Sequence, residues 1–204
     1  MAIDADLIRS CADPGLEPAV VEKFIKAAGS SDPLTITVRS GNRIVLVPPA
    51  KTPEEALTVI RKHVGQAVVR VGVTQYPAGL GIKDPSELSP DLFDPCKNIQ
   101  MGTALFAKLW RIVWKWYGNP TNESVMPQVF DDAIEAWKQG QFEGMAVFTA
   151  PDPGGSPVIS MTSATNDVTP EAPPPAPQPP EPGAVDPNKA NIRIDLSGIG
   201  GRRP

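Results

Sequence analysis

The sequence predicts an α+β fold, predominantly α, confined to residues 1–150 and followed by a tail without a core. Three observations lead there. Apolar residues recur at helical spacing in several stretches. One pair of short, β-branched runs flanks a tight turn. All 12 aromatic residues of the 204-residue chain lie before position 150. Residues 151–204, by contrast, hold 13 of the 25 prolines and no Phe, Trp or Tyr. That composition buries too little apolar surface to offset its ordering entropy, so a disordered, Pro-rich tail is expected there.

In chain order, Ala5 to Ser10 reads as a short helix. Pro18 suits a first helical turn, and Val20, Val21, Phe24, Ile25 and Ala28 follow on one face. Leu34–Val38 and Arg43–Val47, joined by Ser40-Gly41-Asn42, read as one small β-hairpin that Pro48-Pro49 ends. Thr52-Pro53-Glu54-Glu55 starts a helix that runs to about Val64, before Gly65. Val68–Val73 is either a strand or a buried helix, and a Gly- and Pro-rich loop covers Tyr76–Pro90. Asn98–Tyr117 is the longest predicted helix, with Ile99, Ala104, Leu105, Leu109, Ile112, Val113 and Trp116 as its apolar positions. Trp110, Trp114 and Trp116 cannot all face inward on it. A last helix runs from about Ser124 to Gln139 and stops at Gly140.

The net charge of −4 argues against nucleic-acid binding. No apolar run reaches about 18 residues, so no transmembrane helix is expected. Met1–Asp6 has neither a basic nor an apolar region and does not read as a signal peptide. His63, the only histidine, sits at a helix end where a cation suits the dipole; no metal or cofactor is implied. Cys11 and Cys96, taken alone, read as two buried thiols.

Several segments together resemble the VirB-type lytic transglycosylases of type IV secretion and conjugation systems, which have a lysozyme-like fold. Cys11-Ala12-Asp13-Pro14 resembles the start of that domain. Ala28 to Pro33 resembles its Glu-Ser-Gly-x-Asn-Pro segment at Asp32 and Pro33. Phe93-Asp94-Pro95-Cys96-Lys97-Asn98-Ile99, with Gly102, resembles its Phe-Asp-Pro-Cys-x-Asn-Leu-x-x-Gly helix start closely. Ala133–Phe142 resembles its Ala-x-x-x-Tyr-x-x-Gly-Asn-Phe segment, with Trp137 for Tyr and Gln141 for Asn; Gly72-Val73-Thr74-Gln75 is a weaker match to Gly-Leu-x-Gln. Through Gln66–Gly72 and Lys115–Pro120 the chain is similar to the TraH family of conjugal transfer proteins.

The resemblance implies a peptidoglycan-cleaving site built on one glutamate, which protonates the glycosidic oxygen. Ala28 stands at the aligned position. Loss of a positioned acid removes about 10²–10⁴-fold of rate. Glu22 is offset by about 240° around the helix from Ala28, and Asp32, one turn beyond, reads better as a turn former than as a substitute acid. The implied cleft candidates are Gln75, which could equally cap backbone, Trp137, equally a core filler, and Gln141. The resemblance also implies a disulfide candidate pair, Cys11 and Cys96, although cytoplasmic proteins rarely keep disulfides.

The expected function is therefore an accessory protein of conjugal transfer or type IV secretion with a degenerate transglycosylase domain. Its partners would be a peptidoglycan glycan strand or secretion-system subunits. The alternatives are an active transglycosylase with a relocated acid and a cytoplasmic adaptor. Family resemblance implies the periplasm; the amino terminus favours the cytoplasm. In the tail, residues 190–199 contain Ile192-Arg193-Ile194-Asp195-Leu196, an alternating segment suited to strand addition on a partner.

Overall fold

A computed structural model describes residues 4–155. The reading of the tail as disordered and of residues 190–199 as a binding segment lies outside the described residues. Five helices form: α1 (Ala5–Cys11), α2 (Pro18–Ala28), α3 (Pro53–Arg61), α4 (Pro95–Trp116) and α5 (Met126–Gln139). Six strands accompany them: β1 (Ile36–Ser40), β2 (Arg43–Val45), β3 (Val68–Val71), β4 (Tyr76–Pro77), β5 (Gln141–Phe142) and β6 (Met145–Ala146). None of the described helices is long and apolar enough to cross a membrane.

The expected single hairpin is corrected to a four-stranded antiparallel sheet of order β2-β1-β3-β4, with a separate β5–β6 hairpin. β1 pairs with β2 through Val38–Val45 and with β3 through Val38–Val69 and Ile36–Val71. The apolar run Val68–Val73 left strand and helix open; its first four residues, Val68–Val71, are a strand, with Val69 and Val71 buried on one face while Val68 and Arg70 take the other. Against that buried face, α3 supplies Ala56, Leu57 and Ile60, and Leu92 and Phe93 complete the sheet core.

The second core is helical. α2 contributes Val20, Val21, Phe24 and Ile25; α4 contributes Ile99, Phe106, Leu109, Trp110 and Val113; α5 contributes Val129, Phe130, Ala133 and Trp137. Phe24 stacks on Phe106 with ring centroids 4.1 Å apart, and the Trp137 ring meets both edge-on at 5.0 and 6.1 Å. Each such side chain contributes about 1.5–3 kcal/mol through burial. Cys11 and Cys96 form a disulfide that ties the end of α1 to the first turn of α4 across 85 residues of sequence.

Helix boundaries follow local chemistry. α3 starts as read, with Thr52 Oγ1 accepting from the Glu55 N–H at 3.2 Å, but ends at Arg61 rather than Val64. α4 begins three residues earlier than expected. Asp94 caps it, accepting from the Lys97 N–H at 2.8 Å, and Pro95 takes the first helical position. Its inward face also differs: Phe106 and Trp110 fill the core, whereas Ala104 is exposed and Trp116 is 57 % exposed. Trp114 is half-buried, its indole N–H donating to the Pro120 carbonyl at 3.2 Å. Of the three tryptophans one is therefore buried, one half-buried and one exposed.

Replacing both Cys11 and Cys96 by serine removes the constraint on an 85-residue loop, and a loss of about 2–4 kcal/mol is expected in urea unfolding. A double variant as stable as the wild type under non-reducing conditions would contradict the bond.

Candidate functional site

The residues that carry the motif resemblance converge on the segment Gly72–Gln75, which leads from β3 across to the helices. Gly72 turns the chain out of the strand at φ +72°, and a Cβ there would lie 2.3 Å from the Asn98 Nδ2. The next side chain, Val73, enters the helical core, while its carbonyl accepts from the Ser30 N–H at 2.8 Å just beyond α2. Thr74 is held from above by α4: its N–H and its hydroxyl both donate to Asn98 Oδ1, each at 2.9 Å. Asn98 in turn donates from Nδ2 to the Val71 carbonyl at 3.2 Å and the Leu92 carbonyl at 2.8 Å. One turn further along α4, a Cβ on Gly102 would sit 2.1 Å from Thr74 Oγ1, so the helix approaches the loop at hydrogen distance.

Gln75 lies in the same knot. Its backbone is left-handed at φ +53°, and its amide is bonded at both ends: Oε1 accepts from the Thr37 hydroxyl at 2.7 Å, and Nε2 donates to the Gly72 carbonyl at 3.0 Å. Its polar atoms thus bond β1 and the start of the same loop. Trp137 is 0 % exposed, and its indole N–H donates to the Thr74 carbonyl at 3.2 Å. A ring enclosed by Phe24, Phe106 and Phe148 presents no face to a sugar. Of the three cleft candidates, only Gln141 is exposed, at the start of the β5–β6 hairpin.

Ala28 ends α2 half-buried, packed against the helical core. Asp32 is exposed and closes a turn, its Oδ1 accepting from the Leu34 N–H at 2.9 Å. Glu22 lies seven residues before Gly29, hence on nearly the same helix face. Together with Ile25, Lys26, Ser30 and Ser31 these two line a hollow of about 570 Å³. Ala28 is not part of its wall. The buried polar side chains among the described residues are Arg70, Thr74, Gln75, Asn98 and Thr103, with no carboxylate among them. Nor does any described group of three or more His, Cys, Asp or Glu cluster as metal ligands would.

Arg70 is the residue the sequence reading missed. It projects from β3 on the face opposite the sheet core, where it donates to the Gln75 carbonyl at 3.2 Å and to the Trp137 and Lys138 carbonyls at 2.5 and 3.2 Å. The last two belong to the C-terminal turn of α5, where carbonyls lack helical partners and favour a cation. Its guanidinium also lies over the rings of Trp137 and Phe148 at 5.8 and 5.2 Å. Burial, with a smaller contribution from Arg39, lowers its pKa to about 10, so it remains cationic at neutral pH. The available signal was a lone arginine inside the run Val68-Val69-Arg70-Val71.

The arrangement is a hydrogen-bonded joint between two cores, and among the described residues its buried polar side chains are Arg70, Thr74, Gln75, Asn98 and Thr103. The joint is tested most sharply by Gly102→Ala, whose methyl group must displace Thr74. A loss of about 1–3 kcal/mol is expected, read as a lowered midpoint in denaturant. An unchanged midpoint would mean that α4 does not approach the loop this closely.

Comparison with known proteins places the whole chain. A protein of Sinorhizobium fredii (strain NBRC 101917 / NGR234), described as uncharacterized protein y4dP, is 52 % identical over 199 residues, covering 98 % of this chain and 99 % of that one. No solved structure matches. The TraH_2 family profile matches residues 2–201, and the chain belongs to the TraH_2 family.

Proposed function

We propose that the chain is an accessory protein of conjugal transfer, with a degenerate, lysozyme-like transglycosylase domain that binds a peptidoglycan strand or a secretion-system subunit without cleaving glycan. Family membership supports the conjugal setting. One observation supports the loss of cleavage: Ala28 stands half-buried where the resemblance requires the acid, and none of the buried side chains among the described residues is a carboxylate. A general acid working near neutral pH needs a carboxyl shielded enough to keep its proton. The Cys11–Cys96 disulfide favours an oxidising compartment such as the periplasm, where the cell wall is accessible.

A second reading, an active transglycosylase with a relocated acid, draws on the placement of Glu22. Glu22 lines the hollow together with Gly29, Ser30 and Ser31 at the end of α2. Zymography on purified sacculi separates the two, together with a co-sedimentation assay on the same material. Under the binding reading the wild-type chain sediments with sacculi, or with secretion-system subunits, and clears nothing, whereas Ala28→Glu restores clearing. Clearing by the wild type that Glu22→Gln or Asp32→Asn abolishes would overturn it in favour of the relocated acid.

A further inference from the structure

The sheet offers an open edge with a chemistry unlike the rest of the chain. In the order β2-β1-β3-β4 the two edges are β4 and β2. β4 has two residues, and one of them, Pro77, has no N–H to donate, so it is blunted against further pairing. β2 carries no such block until Pro48. Its loop to β1 has two residues, Gly41 and Asn42, which makes Ser40 and Arg43 the hydrogen-bonded pair nearest the turn. The Ile44 N–H and C=O therefore point away from β1. Among the described residues, none from Arg43 to Leu46 makes a backbone hydrogen bond outside the β1–β2 ladder.

The side chains along this edge are apolar and basic. Ile44 is 70 % exposed, and Leu46, one residue beyond the end of β2, is 94 % exposed. Ile44 pairs with Arg39, which pairs in turn with Val68, itself 55 % exposed, giving a cross-strand row Ile44–Arg39–Val68 on the face opposite the sheet core. Residues 34–50 and 66–77, which build the sheet, contain Arg39, Arg43 and Arg70 and no Asp or Glu, in a chain of net charge −4. The described salt bridges involve Arg9, Lys97 and Arg111, not Arg39 or Arg43.

We propose that the β2 edge is a strand-addition site for an extended segment of a partner protein in which aliphatic and acidic residues alternate. Backbone pairing to Ile44 supplies register. Aliphatic side chains on one face of the added strand cover Ile44, beside which Arg39 stands in the next strand, and acidic side chains on the other face meet Arg43. Strand addition uses the added main chain for affinity and alternate side chains for specificity. Pro48 and Pro49 limit the paired length to about four to six residues. This site depends only on the sheet and stands or falls separately from glycan binding.

The test is fluorescence anisotropy with the full chain and an end-labelled six-residue peptide alternating valine and aspartate. The acidic peptide is expected to bind at least tenfold more tightly than its lysine counterpart. Methylating its alternate amide nitrogens on the edge facing β2 should weaken it tenfold or more. The variant Arg43→Glu should invert the charge preference, and Ile44→Lys with Leu46→Lys should abolish binding, both with melting temperatures unchanged. Absence of binding by the acidic peptide, or binding insensitive to N-methylation, overturns the proposal. So does sedimentation showing that wild-type chains pair through this edge and that Ile44→Lys with Leu46→Lys leaves monomers, since the occupant would then be a second copy.

Discussion

The structure depends on one constraint: the loop Gly72–Gln75 must pass between two separate cores while its buried side-chain polar groups find partners. Asn98 makes this feasible. Its side chain faces backbone and hydroxyl groups of β3, the loop and the turn before α4, accepting from Thr74 and donating to Val71 and Leu92. A buried side-chain amide so engaged contributes net about 1 kcal/mol per bond, but leaving its partners unsatisfied costs about 1–3 kcal/mol for each group. The asymmetry makes the joint specific rather than merely stable. With Asn98 in place, Val71 enters the sheet core and Val73, two residues later, the helical one. The disulfide acts on the same element from the other side, fixing the first turn of α4, which also carries Asn98, to α1.

What was legible in the sequence was local chemistry. The cap and proline of α3, the turn of β1–β2 and the stop at Gly140 each arise from a few neighbouring residues, and each lies where it was read. What was not legible depended on partners far along the chain. Val68–Val73 has no period of its own that distinguishes strand from helix; pairing with β1 decides it. The inward face of α4 was misread because Ala104 and Trp116 are apolar by type, while the rotation of the helix is set by Gly102 and Asn98 locking onto Thr74. Gln75 and Trp137 could each have met a ligand or the fold, and long-range hydrogen bonds to Thr37 and Thr74 tie both to the fold.

Arg70 shows how a charge is accommodated inside this framework without a counter-ion. A buried cation ordinarily requires a paired carboxylate. Here three carbonyl oxygens and two aromatic faces take that place, and two of the carbonyls are ones the end of α5 would otherwise leave without partners. The same contact fastens the back of the sheet to the helix that carries Trp137. Sheet and helical core are thus joined twice, by Asn98 at one end of the loop and by Arg70 at the other, and neither joint uses an acid.

That division bears on position 28. The last residue of α2 lies at the negative end of the helix dipole and half-buried against apolar side chains. Both features disfavour a carboxylate and favour a carboxylic acid, so a glutamate there would carry a raised pKa and would cost the fold stability. Such an environment suits a general acid, and for the same reason an alanine fits it with less strain. Ala28 takes no part in the joints at Asn98 and Arg70, so a change of side chain at position 28 leaves the links between the two cores in place. The resemblance of the motifs follows the scaffold, since Gly72, Gln75, Asn98 and Gly102 serve packing and hydrogen bonding whether or not a proton is ever transferred.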